Sequence, residues 1–297
     1  MIARPSHGGE REPDSHPTPG LPTFVQSARV PLPRQGQGAA EQPGGCPFPG
    51  EVDVLLGGLP VEPDITVGTW ITEAVGRAHR STVGSLVPAG FPAHARVLHP
   101  AYRYDGDDDI EIPWADVAAL NGTARHPEMQ WPAVTGGWEY LSEDSQPPTW
   151  DGIPAEGHLP TTLARRMTAV LARHTTTPER CWFGRWTGLG HDEPDLGTVH
   201  RLPLPRARDV VLVRGSVSDA VRNLAPEPSE QSANLWWPAD RAWCVATDID
   251  LMSTYVAGSA ACVSELLATP GLEVVRAHPD HRVGHADDPV NPVPPRS

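Results

Sequence analysis

Lysine is missing altogether: all 23 basic residues are arginine. Without it the P-loop pattern has no ammonium to reach a phosphate, and the Gly-Gly steps at 57–58 and 136–137 lack the remaining spacing. Kinase, P-loop ATPase and standard dinucleotide-binding readings fall with it. No apolar run approaches the roughly 20 residues that cross a bilayer. The start, Met-Ile-Ala-Arg-Pro-Ser-His-Gly-Gly, is not a charged stretch followed by an apolar one, so a cytoplasmic protein with no membrane partner is expected. Cysteine is scarce too. Cys46, Cys181, Cys244 and Cys262 stand far apart with no Cys-x-x-Cys, which points to reduced thiols. Basic charge is outnumbered, 23 against 37 acids, giving −14 at pH 7. A nucleic-acid partner needs a concentrated cationic face and is not expected.

What the chain has in plenty is proline, 35 residues, glycine, 28, and tryptophan, 10. Residues 1–50 hold ten of the prolines and eight of the glycines without helical or strand periodicity, and read as a disordered leader. Four arginines there cancel Glu10, Glu12, Asp14 and Glu41, so the whole −14 falls on residues 51–297. Residues 51–288 read as a single α+β domain with a mixed, mostly short-stranded sheet and packed helices, and 289–297 as a flexible tail. Helices are expected over 69–81, from Pro113 to Asn121-Gly122, over 160–174, briefly over 219–224, and over 259–269 before Pro270-Gly271. Strands are expected over 95–99, 181–186, 210–213, 243–247 and 272–275, with an acidic loop over 105–111.

The segment 243–259, Trp-Cys-Val-Ala-Thr-Asp-Ile-Asp-Leu-Met-Ser-Thr-Tyr-Val-Ala-Gly-Ser, delivers two carboxylates at the end of an apolar strand. If the strand continued, its period of two would put Asp248 and Asp250 on one side, where they could share Mg²⁺ or Ca²⁺, the only cofactor the sequence suggests. Free N–H groups near Ser259 could meet an anion. Tyr255, with Trp236 and Trp237, could line a small-molecule pocket. The ordinary role of these residue types is different: Asp satisfies turn amides, Ser caps a helix, Tyr packs.

A third carboxylate for such a metal could come from Asp105-Gly-Asp-Asp-Asp109, yet no Glu stands at an EF-hand twelfth position, those places holding Asp116, Ala118 and Leu120. His278, His281 and His285 match no established zinc spacing, and His126 with Glu128 offers an imidazole beside a carboxylate. Ser85, Ser253 and Ser259 lack a nucleophile-elbow setting, and Cys181 and Cys244 lie in apolar runs.

Three stretches, Ser-Leu-Val-Pro-Ala-Gly-Phe-Pro-Ala-His-Ala-Arg-Val-Leu-His-Pro-Ala at 85–101, Asn-Leu-Trp-Trp-Pro-Ala-Asp-Arg-Ala-Trp-Cys-Val-Ala-Thr-Asp-Ile-Asp-Leu at 234–251 and Ser-Thr-Tyr-Val-Ala-Gly-Ser at 253–259, resemble conserved hypothetical proteins of actinomycetes. The resemblance covers most of 51–288 and implies a bacterial origin and one folded unit. It carries over no activity and no catalytic residue. Negative charge and many aromatics without an assembled catalytic signature lead to a binding or regulatory module, immunity-like, for a protein with a basic surface. The alternatives are a divalent-metal hydrolase or transferase built on Asp248 and Asp250, and a small-molecule sensor with a Trp/Tyr-lined pocket.

Overall fold

Short apolar runs bounded by Gly, Pro or Asp set the strands, and segments with apolar residues three and four apart set the helices. The computed structural model describes residues 54–106, 108–142, 145–190, 196 and 199–295. The expected leader over 1–50 lies outside the described residues. Strands β1 (Leu55–Leu56) and β2 (Leu59–Pro60) precede helix α1 (Thr69–Val75), strand β3 (Ala93–Leu98) and a hairpin of β4 (Ala101–Asp105) and β5 (Asp108–Ile112). Helices α2 (Trp114–Asn121), α3 (Trp131–Thr135) and α4 (Thr161–Leu171) follow. Then come β6 (Cys181–Trp186), β7 (Arg201–Leu202), β8 (Val210–Gly215), β9 (Leu235–Pro238), β10 (Cys244–Ala246) and β11 (Ser253–Gly258). Helix α5 (Ala260–Leu267) and strand β12 (Glu273–Ala277) complete the order.

The class is α+β, and its centre is an eight-stranded sheet in the order β12-β3-β11-β10-β9-β6-β8-β7. The expected mixed pairing is corrected: every neighbouring pair is antiparallel. The reason is local to α5. That helix joins β11 to β12, which run in the same direction, but β3 is inserted between them and pairs antiparallel with both.

Both faces of the sheet are covered. Alternation along the strands sends Val97, Val256, Val245, Trp236, Phe183 and Val213 to one face, against Leu163, Met167 and Leu171 of α4 and Val263 and Leu266 of α5. Tyr255, Ala257, Ala246, Trp237 and Leu212 go to the other, against Ile71 and Val75 of α1 and Val83, Val87 and Val283. A third cluster at one end of the sheet joins Leu98 and Met252 to Trp114, Trp131 and Trp150, whose successive ring centroids lie 5.0 and 5.3 Å apart.

Three local expectations change. Helix α1 ends at Val75 with Gly76 as its C-cap, and the left-handed Ser81 (φ 62°) closes the rest of the expected span ahead of the turn Val83–Ser85. The acidic stretch over 105–111 is mostly strand: β4 and β5 pair from Ala101↔Ile112 to Asp105↔Asp108, turning at Gly106, whose φ of 67° suits a residue without Cβ. Residues 289–295 are not a free tail. Asn291 is buried, its side chain bonded to the backbone of Ala124 and to Asp288, and Trp138 Nε1 donates to Pro294 O at 2.7 Å.

A polar chain runs through the covered sheet. His99 is fully buried just past β3, and its Nδ1–H donates to Ala155 O at 2.6 Å, which leaves Nε2 to accept from Thr254 Oγ1 at 2.9 Å. Thr254 in turn meets Thr247 Oγ1 at 2.7 Å. Burial pushes the imidazole from 6.5 down to about 3, against the opposing pull of the Ala155 carbonyl. A depressed folded-state value means that the unfolded chain binds the extra proton first as pH drops. Stability is therefore full above about pH 6.5 and is lost towards pH 3, by roughly 5 kcal/mol at most from this group. Urea melts at pH 7.5, 6, 5 and 4 are expected to show that slope in the wild type and a shallower one in His99→Gln.

Helix α5 starts at Ser259, whose Oγ accepts from Cys262 N at 3.1 Å. Ser259→Ala is expected to destabilise the fold by about 1 kcal/mol in the same urea assay, and Ser259→Asp to restore it.

Candidate functional site

Strand β10 does not continue into its aspartates. The chain bends after Thr247: Leu251 N donates to Asp248 O at 3.1 Å and Asp250 N to Asp248 Oδ1, also at 3.1 Å. This is an Asx-type turn in place of a continued strand, and it leaves both carboxylates facing the same two arginines. The Asp248 side chain is 5% exposed, that of Asp250 51%.

Their partners come from the segment between β7 and β8, Pro205-Arg206-Ala207-Arg208-Asp209. Arg206 Nη2 reaches Asp250 Oδ2 at 3.0 Å, and Arg208 Nη2 bonds the same oxygen. Asp248 Oδ2 faces Arg206 Nη1 at 3.7 Å and Arg208 Nε at 3.8 Å, close enough for ion pairing but too long for hydrogen bonds. Two residues of this segment, Arg206 (φ 65°) and Ala207 (φ 56°), are left-handed without being glycine, a conformation costing on the order of 1–3 kcal/mol each. Trp186 at the end of β6 grips them: its Nε1 donates to Ala207 O at 3.1 Å, and the Arg208 guanidinium lies 5.1 Å over its ring. Asp209 Oδ1 closes the segment by accepting from Leu204 N at 3.2 Å.

These groups form the mouth of a cleft of about 50 Å³ at the ends of β6, β8, β9 and β10, floored by Leu86, Leu204, Val210, Leu235 and Ala246. Asn234 is a rigid wall. Its Nδ2 donates to Gly157 O and Thr247 O, and its Oδ1 accepts from Trp186 N and Gln231 Nε2. A second hollow of about 290 Å³ shares Ser85, Pro205 and Arg206 with the cleft and is flanked by Arg80.

Of the ligand candidates named from the sequence, Asp248 lines this cleft and Asp250 bonds two of its lining arginines; Trp236, Trp237, Tyr255 and Ser259 are elsewhere. Trp236 and Trp237 point to opposite faces, Trp236 stacking on Phe183 and meeting Trp243, Trp237 stacking on Trp182. Tyr255 is buried beneath the Arg96 guanidinium at 5.8 Å. Ser259 lies at the opposite end of β11, roughly 20 Å from Asp250 by the rise of six strand residues. The shared metal site is corrected as well. Two guanidiniums within 4 Å already neutralise both carboxylates and repel a divalent cation. Among the described residues no three His, Cys, Asp or Glu side chains gather as metal ligands.

The remaining titratable candidates are tied down. His126 Nε2 bonds Asp288 Oδ1 at 2.9 Å, whereas Glu128 accepts from Arg282 N and approaches His281. His285 pairs with Glu156 and His278 with Asp280. Cys181, Cys244 and Cys262 are buried and free, and burial pushes all three thiols up, Cys181 to about 12 and Cys262 to about 11, so they stay protonated and unreactive. What the sequence reading missed is the arginine pair. Its signal was there in the matched spacing of Arg206-x-Arg208 and Asp248-x-Asp250.

No family model matches the chain, and no curated protein and no solved structure matches it either.

Proposed function

We propose that the protein is a binding module whose ligand is a small molecule seated in the cleft between the Arg206–Arg208 segment and the end of β10. One observation carries this reading: an apolar floor opens beneath two guanidiniums, the usual composition of a small-molecule site with a few orienting polar groups. The lining supports binding over catalysis. It contains no His, Cys, Glu or Tyr, its single carboxylate is paired with arginine, and Ser85 Oγ donates to Thr82 O at 2.7 Å. Buried free thiols support a reducing, cytoplasmic setting. No helix among the described residues is long and apolar enough to cross a membrane. A second reading, capture of a protein with a basic surface, is favoured by the −14 charge carried wholly by residues 51–297.

Thermal unfolding in the presence of a panel of small organic acids, amides and alcohols tests the first reading. A true ligand at 100 times its Kd adds about 2.7 kcal/mol of stability. Ala246→Leu, which fills the floor, is expected to abolish the shift while keeping a cooperative melt. A panel that leaves the wild-type melt unmoved overturns the reading. Calorimetric titration with Mg²⁺ and Ca²⁺ is expected to give no saturable heat; a saturable heat lost in Asp248→Asn would instead restore the metal-dependent enzyme.

A further inference from the structure

At the mouth of the cleft, two guanidiniums converge on a single oxygen of a half-exposed carboxylate. Arg206 Nη2 and Arg208 Nη2 both bond Asp250 Oδ2, so Asp250 serves as a one-oxygen partner. Meanwhile Arg208 Nε is buried with no hydrogen-bond acceptor among the described residues, Asp248 Oδ2 standing 3.8 Å away. A buried guanidinium N–H left unbonded is costly, and the arrangement that removes the cost is a planar carboxylate taking two parallel N–H groups from one guanidinium. Asp250 does not supply that from where its turn holds it. A free carboxylate could, once the guanidinium turns its buried Nε–H from Asp248 towards the cleft.

We propose that the ligand of the cleft is a small monocarboxylic acid with a compact apolar body, and that Asp250 is the internal occupant of its anion seat, displaced when the acid binds. The inference rests on the reading of the cleft as a ligand site and adds the ligand's chemistry. The cleft, at about 50 Å³, is too small for a ring and takes the carboxylate with one or two carbons at most. The ring or chain of the acid reaches into the adjoining hollow of about 290 Å³ beside Arg80. Displacing Asp250 is cheap because exposed ion pairs contribute at most about 1 kcal/mol.

Benzoate and benzamide, equal in shape and different in charge, are the probes, titrated by calorimetry into the full chain. Benzoate is expected to bind more tightly than benzamide and to weaken as salt rises. Asp250→Asn is expected to tighten benzoate up to about six-fold, the factor that follows if the arginines are free of Asp250 about a sixth of the time, and to leave benzamide unchanged. Benzoate binding that is unchanged or weaker in Asp250→Asn overturns the displacement. Benzamide binding as well as benzoate overturns the acid assignment while the ligand-site reading stands. Binding of neither probe also overturns the assignment, and the wider reading then falls only if the compound panel gives no thermal shift. Should Asp250→Asn fail to fold, the benzoate-to-benzamide ratio and its salt dependence in the unsubstituted protein decide the matter alone.

Discussion

Covering the central sheet on both faces is the constraint from which the rest follows. A strand buried on both sides can carry only apolar side chains or polar ones whose every donor and acceptor is met inside the protein. Most of the polar residues that enter the sheet sit near one end of it, with His94 at the other end of β3 bonded to Pro88 O. His99, Thr254 and Thr247 form a chain on one face. On the other, Arg96 donates to Ser253 Oγ, Pro127 O and Met129 O beneath the rings of Trp114 and Tyr255. The cleft opens at that same end, where β10 stops and the backbone must turn. Chemistry is thus confined to the rim because the faces have no room for it.

Arginine in place of lysine suits a rim of this kind. One guanidinium offers five N–H groups in a plane, so Arg208 can bond Asp250, stand opposite Asp248 and lie on Trp186 at once. A lysine ammonium there would serve one carboxylate and leave the ring face bare. The same habit recurs over Trp70, where Arg241 lies 5.3 Å from the ring, and over Trp114 beneath Arg96. Trp70, Trp114 and Trp186 thus each carry a guanidinium over the ring.

Helices with strong local signals were legible in the sequence. Helix α2 stops at Gly122, which takes the left-handed conformation that Asn-Gly announces, and α4 carries its apolar residues on one side. Strands β6 and β8 were legible as apolar runs. Their neighbours were not, since the pairing of β3 with β11 and β12 joins segments some 150 or more residues apart, and nothing local encodes it. The hairpin of β4 and β5 was hidden by its aspartates, whose type favours loops. Docking of residues 289–295 depends on Asn291 finding Ala124, again a distant partner. In the site, the Asp-x-Asp turn was legible as a position, but the arginines that define its chemistry lie about 40 residues earlier. The sidedness of Trp236 and Trp237 was readable in principle. Adjacent residues on a strand face opposite ways, so the two never could line one pocket.

Energetically, the cleft is a soft rim on a hard sheet. The left-handed Arg206 and Ala207 are strained by on the order of 1–3 kcal/mol each, and they persist because Trp186, itself paired into β6 and β8, fixes the Ala207 carbonyl and the Arg208 guanidinium. Trp186 holds the Arg208 guanidinium over the cleft whether or not Asp250 is its partner, whereas the Arg206 guanidinium is held by the two aspartates. An arriving anion competes with the half-exposed Asp250 carboxylate and meets Asp248 at 3.7 and 3.8 Å from the same guanidiniums, but disturbs neither Leu235 and Ala246 nor the strand ladder beneath. The seat can exchange its occupant while the sheet stays unchanged, because the interaction surrendered is far weaker than the packing that positions it.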